Sequence, residues 1–105
     1  MPELIDLEEK NFDEKTKKGR WIIDLWAVWC NPCKIMAPHL EAAAKELKGK
    51  VNFAKVNVDE NYNIAERFEV RAVPTTLFMK DGEIVHVSIG VLTKDQILEL
   101  VKENF

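Results

Sequence analysis

The hydrophobic positions fall into runs with two different rhythms, and the rhythm decides the element. WIIDLW, Trp21 to Trp26, is a nearly continuous apolar run rich in β-branched and aromatic residues and broken only by Asp24. That pattern suits a strand buried on both faces. Val51 to Val58 alternates, with Val51, Phe53, Lys55 and Asn57 on one face and Asn52, Ala54, Val56 and Val58 on the other. Apolar residues on both faces predict a second, mostly buried strand. Thr75 to Met79 and Ile84 to Ile89 flank Lys80-Asp81-Gly82-Glu83, and Asp-Gly between two such runs predicts a hairpin. Leu4 to Leu7 is a shorter candidate strand.

Other segments carry the helical period. Asn11-Phe12-Asp13-Glu14 resembles a capping box opening a short helix that runs to about Lys18 and closes at Gly19. Pro32 to Lys48 places Ile35, Met36, Leu40, Ala43, Ala44 and Leu47 near helical spacing, with Pro38 inside it as an expected kink and Gly49 as its end. Asn61 is positioned to cap a helix reaching Phe68. Thr93 with Gln96 forms a second capping box, and Ile97, Leu98, Val101 and Phe105 share one face of the helix it opens.

The order β, α, β, α, β, α, β, β, α follows. Early alternation implies parallel strands with right-handed crossovers, and the hairpin adds an antiparallel pair to the same sheet. The expected class is α/β, a three-layer sandwich with a central mixed sheet of four to five strands and helices on both faces. A chain of 105 residues, 47% of them hydrophobic, supports a single domain over 1–105.

Charge removes several functions from consideration. The net charge is only −3, from 15 basic and 18 acidic residues spread along the chain, so no basic stripe exists to meet a phosphate backbone. No run approaches the ~18 apolar residues of a membrane span, and MPELIDLEEKNFDEKTKKGR lacks the apolar stretch of a signal peptide. A cytoplasmic protein without nucleic-acid or membrane partners is expected, and a monomer.

In that compartment thiols rest reduced, so paired cysteines point to reactivity or metal binding rather than to a structural staple. Both cysteines of the chain lie in Cys30-Asn31-Pro32-Cys33, after a strand and where a helix opens at Pro32. Residues three apart on a helix lie about 5–6 Å apart at Cβ, close enough for a disulfide to form and break with little backbone movement. The free N–H groups and positive end of the helix dipole favour thiolate at Cys30, which makes it the attacking sulfur. Cys33, one turn deeper on the core side, is then the resolving thiol.

Resolution requires a proton to leave a sheltered thiol. A carboxylate among Ile23, Leu25 and Trp26 is poorly solvated, so its pKa rises toward neutrality and Asp24 becomes the proton acceptor for Cys33. Electrons travel on the sulfurs, so no bound cofactor is needed.

These residues resemble the thioredoxin family over nearly the whole chain. Trp26-Ala27-Val28-Trp29-Cys30-Asn31-Pro32-Cys33-Lys34 is similar to its active-site signature, Pro38 to its helix proline, Phe53 to Asp59 to its third strand, Val73-Pro74-Thr75 to its cis-proline loop, Asp81-Gly82 to its hairpin turn and Gly90 to the glycine before its last helix. The resemblance implies a protein disulfide reductase recharged by a thioredoxin reductase and acting on disulfide-containing proteins. It implies that Pro74 is cis and that the main chain of Val73 pairs with substrate like an added strand. Trp29, Pro32, Val73, Pro74, Gly90 and Val91 then shape the substrate surface, and Lys55 lies near Asp24, where its charge opposes the desolvation shift. Asn31 stands where the family usually has glycine, which bears on redox poise more than on fold. Ala72 replaces the glycine usual before Val-Pro, and Leu25 an aromatic residue.

Competing readings exist for each feature. Zinc wants four ligands, and beyond the cysteines only His39 and His86 offer imidazoles, at poor spacing. Asp24 could be a structural carboxylate offset by Lys55. Lys34 could be a plain surface residue or could favour thiolate at Cys30. Trp29 fits packing or substrate contact equally. For the whole chain the alternatives are an oxidant or isomerase of the same fold, suggested by Asn31, and a redox-silent binding or chaperone module.

Overall fold

The computed structural model describes residues 4–105. The N-terminal three positions of the expected domain lie outside the described residues. The described elements are β1 (Leu4–Asp6), α1 (Phe12–Thr16), β2 (Arg20–Trp26), α2 (Asn31–Glu46), β3 (Asn52–Asn57), α3 (Tyr62–Arg67), β4 (Thr75–Lys80), β5 (Glu83–Ile89) and α4 (Lys94–Asn104). They follow the expected order.

The sheet runs β1-β3-β2-β4-β5. β3 is parallel to both β1 and β2, whereas β4 is antiparallel to β2 and to β5. A mixed sheet with helices on both faces is therefore what forms. The hairpin turns through Asp81 and Gly82, whose φ values of 51° and 87° are the positive angles a tight two-residue turn requires.

Period-2 alternation along the central strands sorts the core into two layers. Trp21, Ile23 and Leu25 of β2 with Ala54 and Val56 of β3 pack beneath Phe12 of α1 and Ile64 of α3. Ile22 and Phe53 turn the other way, to Met36, Leu40, Ala43 and Ala44 of α2 and Ile97 of α4. Asp24 follows Ile22 by two and so belongs to the α2 face. The strand that looked uniformly greasy thus aims its one carboxylate at the helix that begins beside the cysteines.

Several local expectations change. Asn11 makes no capping bond to α1; its Oδ1 instead accepts from the Glu8 N–H at 2.8 Å. Asn61 likewise does not cap α3: its Oδ1 accepts from the Glu9 N–H at 3.0 Å, and its amide donates to the Asn57 carbonyl at 3.1 Å. The buried amide bridges Glu9 and Asn57, and this turns its oxygen away from the helix. Ile35 is 61% exposed, pointing away from the sheet although it falls in the apolar pattern of α2. On α4 the packed set is Ile97, Leu100, Val101 and Phe105, so Leu100 takes the place expected for Leu98. Three and four residues after Ile97 is the spacing that keeps a helical face. The Thr93–Gln96 capping box forms in full, with both reciprocal bonds.

Candidate active site

The site begins where β2 ends. Trp26 closes the strand, and a short segment delivers Cys30 to the N-cap position of α2. Asn31 and Pro32 are the first helical residues, so Pro32 stands one place later than its expected opening position, still within the turn that needs no N–H from it. Cys30 and Cys33 are joined as a disulfide with Cα atoms 5.3 Å apart. The Cys33 N–H donates to Cys30 Sγ at 3.1 Å, so one of the helix's orphan donors already points at the first sulfur.

Burial does not separate the two cysteines, contrary to the expectation that Cys33 lies deeper: Cys30 is 3% exposed and Cys33 5%. Both pack with Ala27 beneath Trp26, Val58 and Val73. Their environments differ instead. Cys30 receives the N–H at the helix end, whereas Cys33 lines a cavity together with Asp24.

Asp24 is 5% exposed, and its Oδ1 has no hydrogen-bond partner among the described residues. Burial pushes its carboxyl from 3.8 up to about 7, and the positive charge of Lys55 pulls it back only in part. Desolvation therefore outweighs attraction here. Asp24 and Lys55 are directly paired in the β2–β3 register. The lysine ammonium, however, pairs with Asp6 at 3.9 Å and lies 5.5 Å from the centre of the Trp26 ring, with its side chain 40% exposed. A solvated cation engaged elsewhere is a weak counter-charge.

Around the disulfide lies an apolar rim. Trp29 is 67% exposed, and its indole N–H donates to Asp59 Oδ2 at 2.9 Å, which fixes the ring. The Val73–Pro74 bond is cis. Pro74 is buried, Val73 half-buried, and the Pro74 carbonyl accepts from the Gly90 N–H at 2.9 Å. Gly90 has φ 101°, and a side chain there would meet nothing within 4 Å, so its backbone angle rather than crowding calls for glycine. Val91 beside it is half open to solvent, and Ile89 is 73% exposed. Asn31 and Lys34 are both exposed on the first turns of α2.

Asp59 and Ile89 were not singled out from the sequence. Asp59 reads only as the last residue of the third-strand motif until the fold brings it to Trp29. Ile89 reads as a strand residue, and only its place on the outermost strand leaves it uncovered. Of the histidines, His39 accepts from the Lys94 N–H at 3.1 Å and His86 packs edge-on against Phe78.

Comparison with known proteins agrees with this geometry. The thioredoxin family model matches residues 3–103. A thioredoxin of Buchnera aphidicola is 39% identical over 106 residues, spanning 99% of this chain and 98% of that protein. A thioredoxin of Staphylococcus saprophyticus is 39% identical and one of Bacillus subtilis 38%, each over 101 residues that span 96% of this chain and 97% of the relative. No helix among the described residues is long and apolar enough to cross a membrane. Since the matches run the length of the chain and take in both cysteines, it belongs to the thioredoxin family of dithiol–disulfide exchange reductases, with Cys30–Cys33 as the redox-active disulfide.

Proposed function

We propose that the chain works as one unit over residues 1–105, a monomeric cytoplasmic reductase of protein disulfides in which Cys30 attacks and Cys33 resolves. The Cys30 thiolate attacks a substrate disulfide; a bond forms from its Sγ to one substrate sulfur, and the other leaves as thiolate and takes up a proton. Cys33 then gives its proton to Asp24, its thiolate attacks Cys30 Sγ, and the second substrate thiolate departs. Two electrons have passed to substrate, and the Cys30–Cys33 disulfide remains. A thioredoxin reductase returns the pair to the dithiol. The cytoplasm suits this cycle because its thiol pools are kept reduced.

The observation that carries the assignment of roles is the asymmetry of the two sulfurs. Cys30 Sγ accepts the Cys33 N–H, an arrangement that stabilises negative charge on the attacking sulfur. Cys33 shares its cavity with a buried carboxyl held at about 7, a value suited to taking a proton at neutral pH. Trp29, Val73, Pro74, Gly90 and Val91 form the surface for an extended substrate segment, with Pro32 at the helix edge; Asn31, Lys34 and Lys55 adjust the charge balance.

The test is a pair of serine variants incubated with a disulfide substrate. Cys33→Ser accumulates a mixed disulfide through Cys30, and Cys30→Ser accumulates none. Trapping through Cys33 instead would reverse the roles. The equilibrium of the pair against a graded glutathione buffer distinguishes a reductant from an oxidant or isomerase, since a reductant is fully reduced only at potentials below the glutathione poise.

A further inference from the structure

Three threonines are buried among the described residues, Thr16, Thr75 and Thr76, and only one of them leaves its hydroxyl unused. Thr16 donates to the Phe12 carbonyl at 2.9 Å and Thr75 to the Ala72 carbonyl, whereas Thr76 Oγ1 has no partner among the described residues. A buried hydroxyl without a bond costs free energy that a methyl of the same shape does not. Valine has that shape and suits a strand equally well. The hydroxyl of Thr76 therefore calls for an explanation, and its place in the sheet supplies one.

Thr76 of β4 lies directly opposite Asp24 of β2 in the antiparallel register. Directly opposed residues share a face, with Cβ atoms about 4.5–5.5 Å apart, a gap that a threonine hydroxyl and a carboxylate arm span by rotation. Asp24 Oδ1 is itself buried and unbonded, so an acceptor without a donor and a donor without an acceptor stand across one rung of the sheet. Both atoms are closed to solvent, and the partner of each has to come from the protein. On the other flank of Asp24 stands Lys55 of β3, whose ammonium is turned to Asp6 and to the Trp26 ring. The third unbonded buried atom is the indole N–H of Trp26, held on a ring that packs against the cysteines. A hydroxyl that turns about one bond is the more adaptable donor.

We propose that Thr76 is a positioning residue for Asp24: its hydroxyl turns to donate to Asp24 Oδ1 when the carboxyl is ionised and lets go when the carboxyl takes up a proton. The bond is charge-assisted only in the first state, so it favours the ionised form and opposes the desolvation that burial imposes. Its consequence for turnover rests on the reading of Asp24 as proton acceptor. The proton still passes from Cys33 Sγ to the Asp24 carboxylate, and Thr76 keeps its own throughout. What the hydroxyl adds is a larger share of Asp24 molecules charged, and so able to accept, at neutral pH.

The test is the titration of Asp24 in the oxidised full chain, followed by NMR at its side-chain carboxyl carbon; the disulfide keeps both sulfurs out of the titration. The other charged groups around the carboxyl are Lys55 on β3, with Asp6 beyond it, and Lys34, Glu41 and Lys45 of α2, which line the same cavity. All are the same in parent and variants, so a difference reports position 76. Thr76→Val removes the hydroxyl and keeps the shape, and its Asp24 is expected to titrate about one unit above the parent's, as a roughly tenfold weaker acid. Thr76→Ser keeps the hydroxyl and is expected to titrate with the parent. Unfolding curves carry the same sign: a folded pKa raised further loses more stability as pH rises through the window, so Thr76→Val falls behind the parent at the alkaline end only. An unshifted midpoint in Thr76→Val would overturn the assignment, and so would an equal shift in both variants, which would trace the effect to packing. The pH profile of mixed-disulfide release tests the reading beneath separately. If Asp24 accepts the proton, the profile of Thr76→Val moves up with its midpoint; a profile that stays while the midpoint moves leaves the Asp24–Thr76 pair standing and counts against that role.

Discussion

Two helices of this protein solve the same problem at their N-termini with different atoms. α4 is closed by oxygen and nitrogen: Thr93 Oγ1 accepts from the Gln96 N–H at 3.2 Å, Gln96 Oε1 accepts from the Thr93 N–H at 2.9 Å, and His39 Nδ1 accepts from the Lys94 N–H at 3.1 Å. α2 is closed by sulfur, with Cys30 Sγ accepting the Cys33 N–H. Neutral sulfur is a weak acceptor, so the α2 end is held less firmly. That same bond becomes charge-assisted once Cys30 is a thiolate. One helix end has three of its N–H groups bonded to side chains; the other offers a donor to the thiolate that the proposed cycle forms at Cys30.

Exchanging the sulfur sharpens this contrast most. Cys30→Ser retains an N-cap residue of the preferred kind while removing the proposed nucleophile. Insulin reduction is expected to fall to the uncatalysed background, while the stability of the variant stays within about 0.5 kcal/mol of the reduced parent in denaturant unfolding. Surviving turnover would break the comparison outright.

Asp24 extends the contrast to pH, because it is attached to the α2 end alone. Its carboxyl is raised from 3.8 to about 7 in the folded chain, so the folded state holds a proton that the unfolded state releases across that window. Stability therefore falls as pH rises through the window, and the full penalty, about 4 kcal/mol, is present above it. Asp24→Asn is expected to match the parent near pH 4, to exceed it in stability at pH 8, and to release mixed disulfides more slowly. Unfolding midpoints at the two pH values are the check: an equal gain at both would trace the effect to packing rather than ionisation.

At the other helix the expected effects are smaller and purely structural. Thr93→Ala removes the side-chain cap of α4 and costs about 1 kcal/mol, read from the denaturant midpoint, with insulin reduction unchanged. Gln96→Ala removes only the reciprocal bond, and a loss of about 0.5 kcal/mol is expected from the same measurement. A fall in turnover for either variant would mean that the two helix ends are coupled, for which the α2 and α4 packing through Leu40 and Ile97 offers a route.

The caps also show why some of the fold was legible and some was not. Thr93 and Gln96 meet across one turn of the same helix, so their sequence spacing already describes the contact. Asn61 has equal capping chemistry, yet its oxygen goes to the N–H of Glu9, 52 residues away, a donor that only the tertiary structure brings within reach. Asn11 turns back to Glu8, a competing bond as local as the expected one and no less available to a short polar side chain. The choice of Leu100 over Leu98 follows from which way α4 lies on α2, and spacing alone leaves a helix free to roll about its axis.

What the sequence by itself determined is the set of properties that depend on near neighbours or on composition. The element order, the hairpin at Asp81-Gly82, the division of β2 and β3 into two buried faces, and the placing of Cys30 and Cys33 across one helical turn all come from periodicity and short-range chemistry. Tertiary structure decided how strongly those residues act on one another. Asp24 could have been governed by Lys55 or by burial; packing under α2 removed its water while Lys55 found Asp6 and the Trp26 ring, and desolvation prevailed. Trp29 could have been core or surface, and the loop carrying Asp59 holds it in the open. Electrostatic strength depends on solvent access and distance, and both are properties of the assembled fold rather than of the order of residues along the chain.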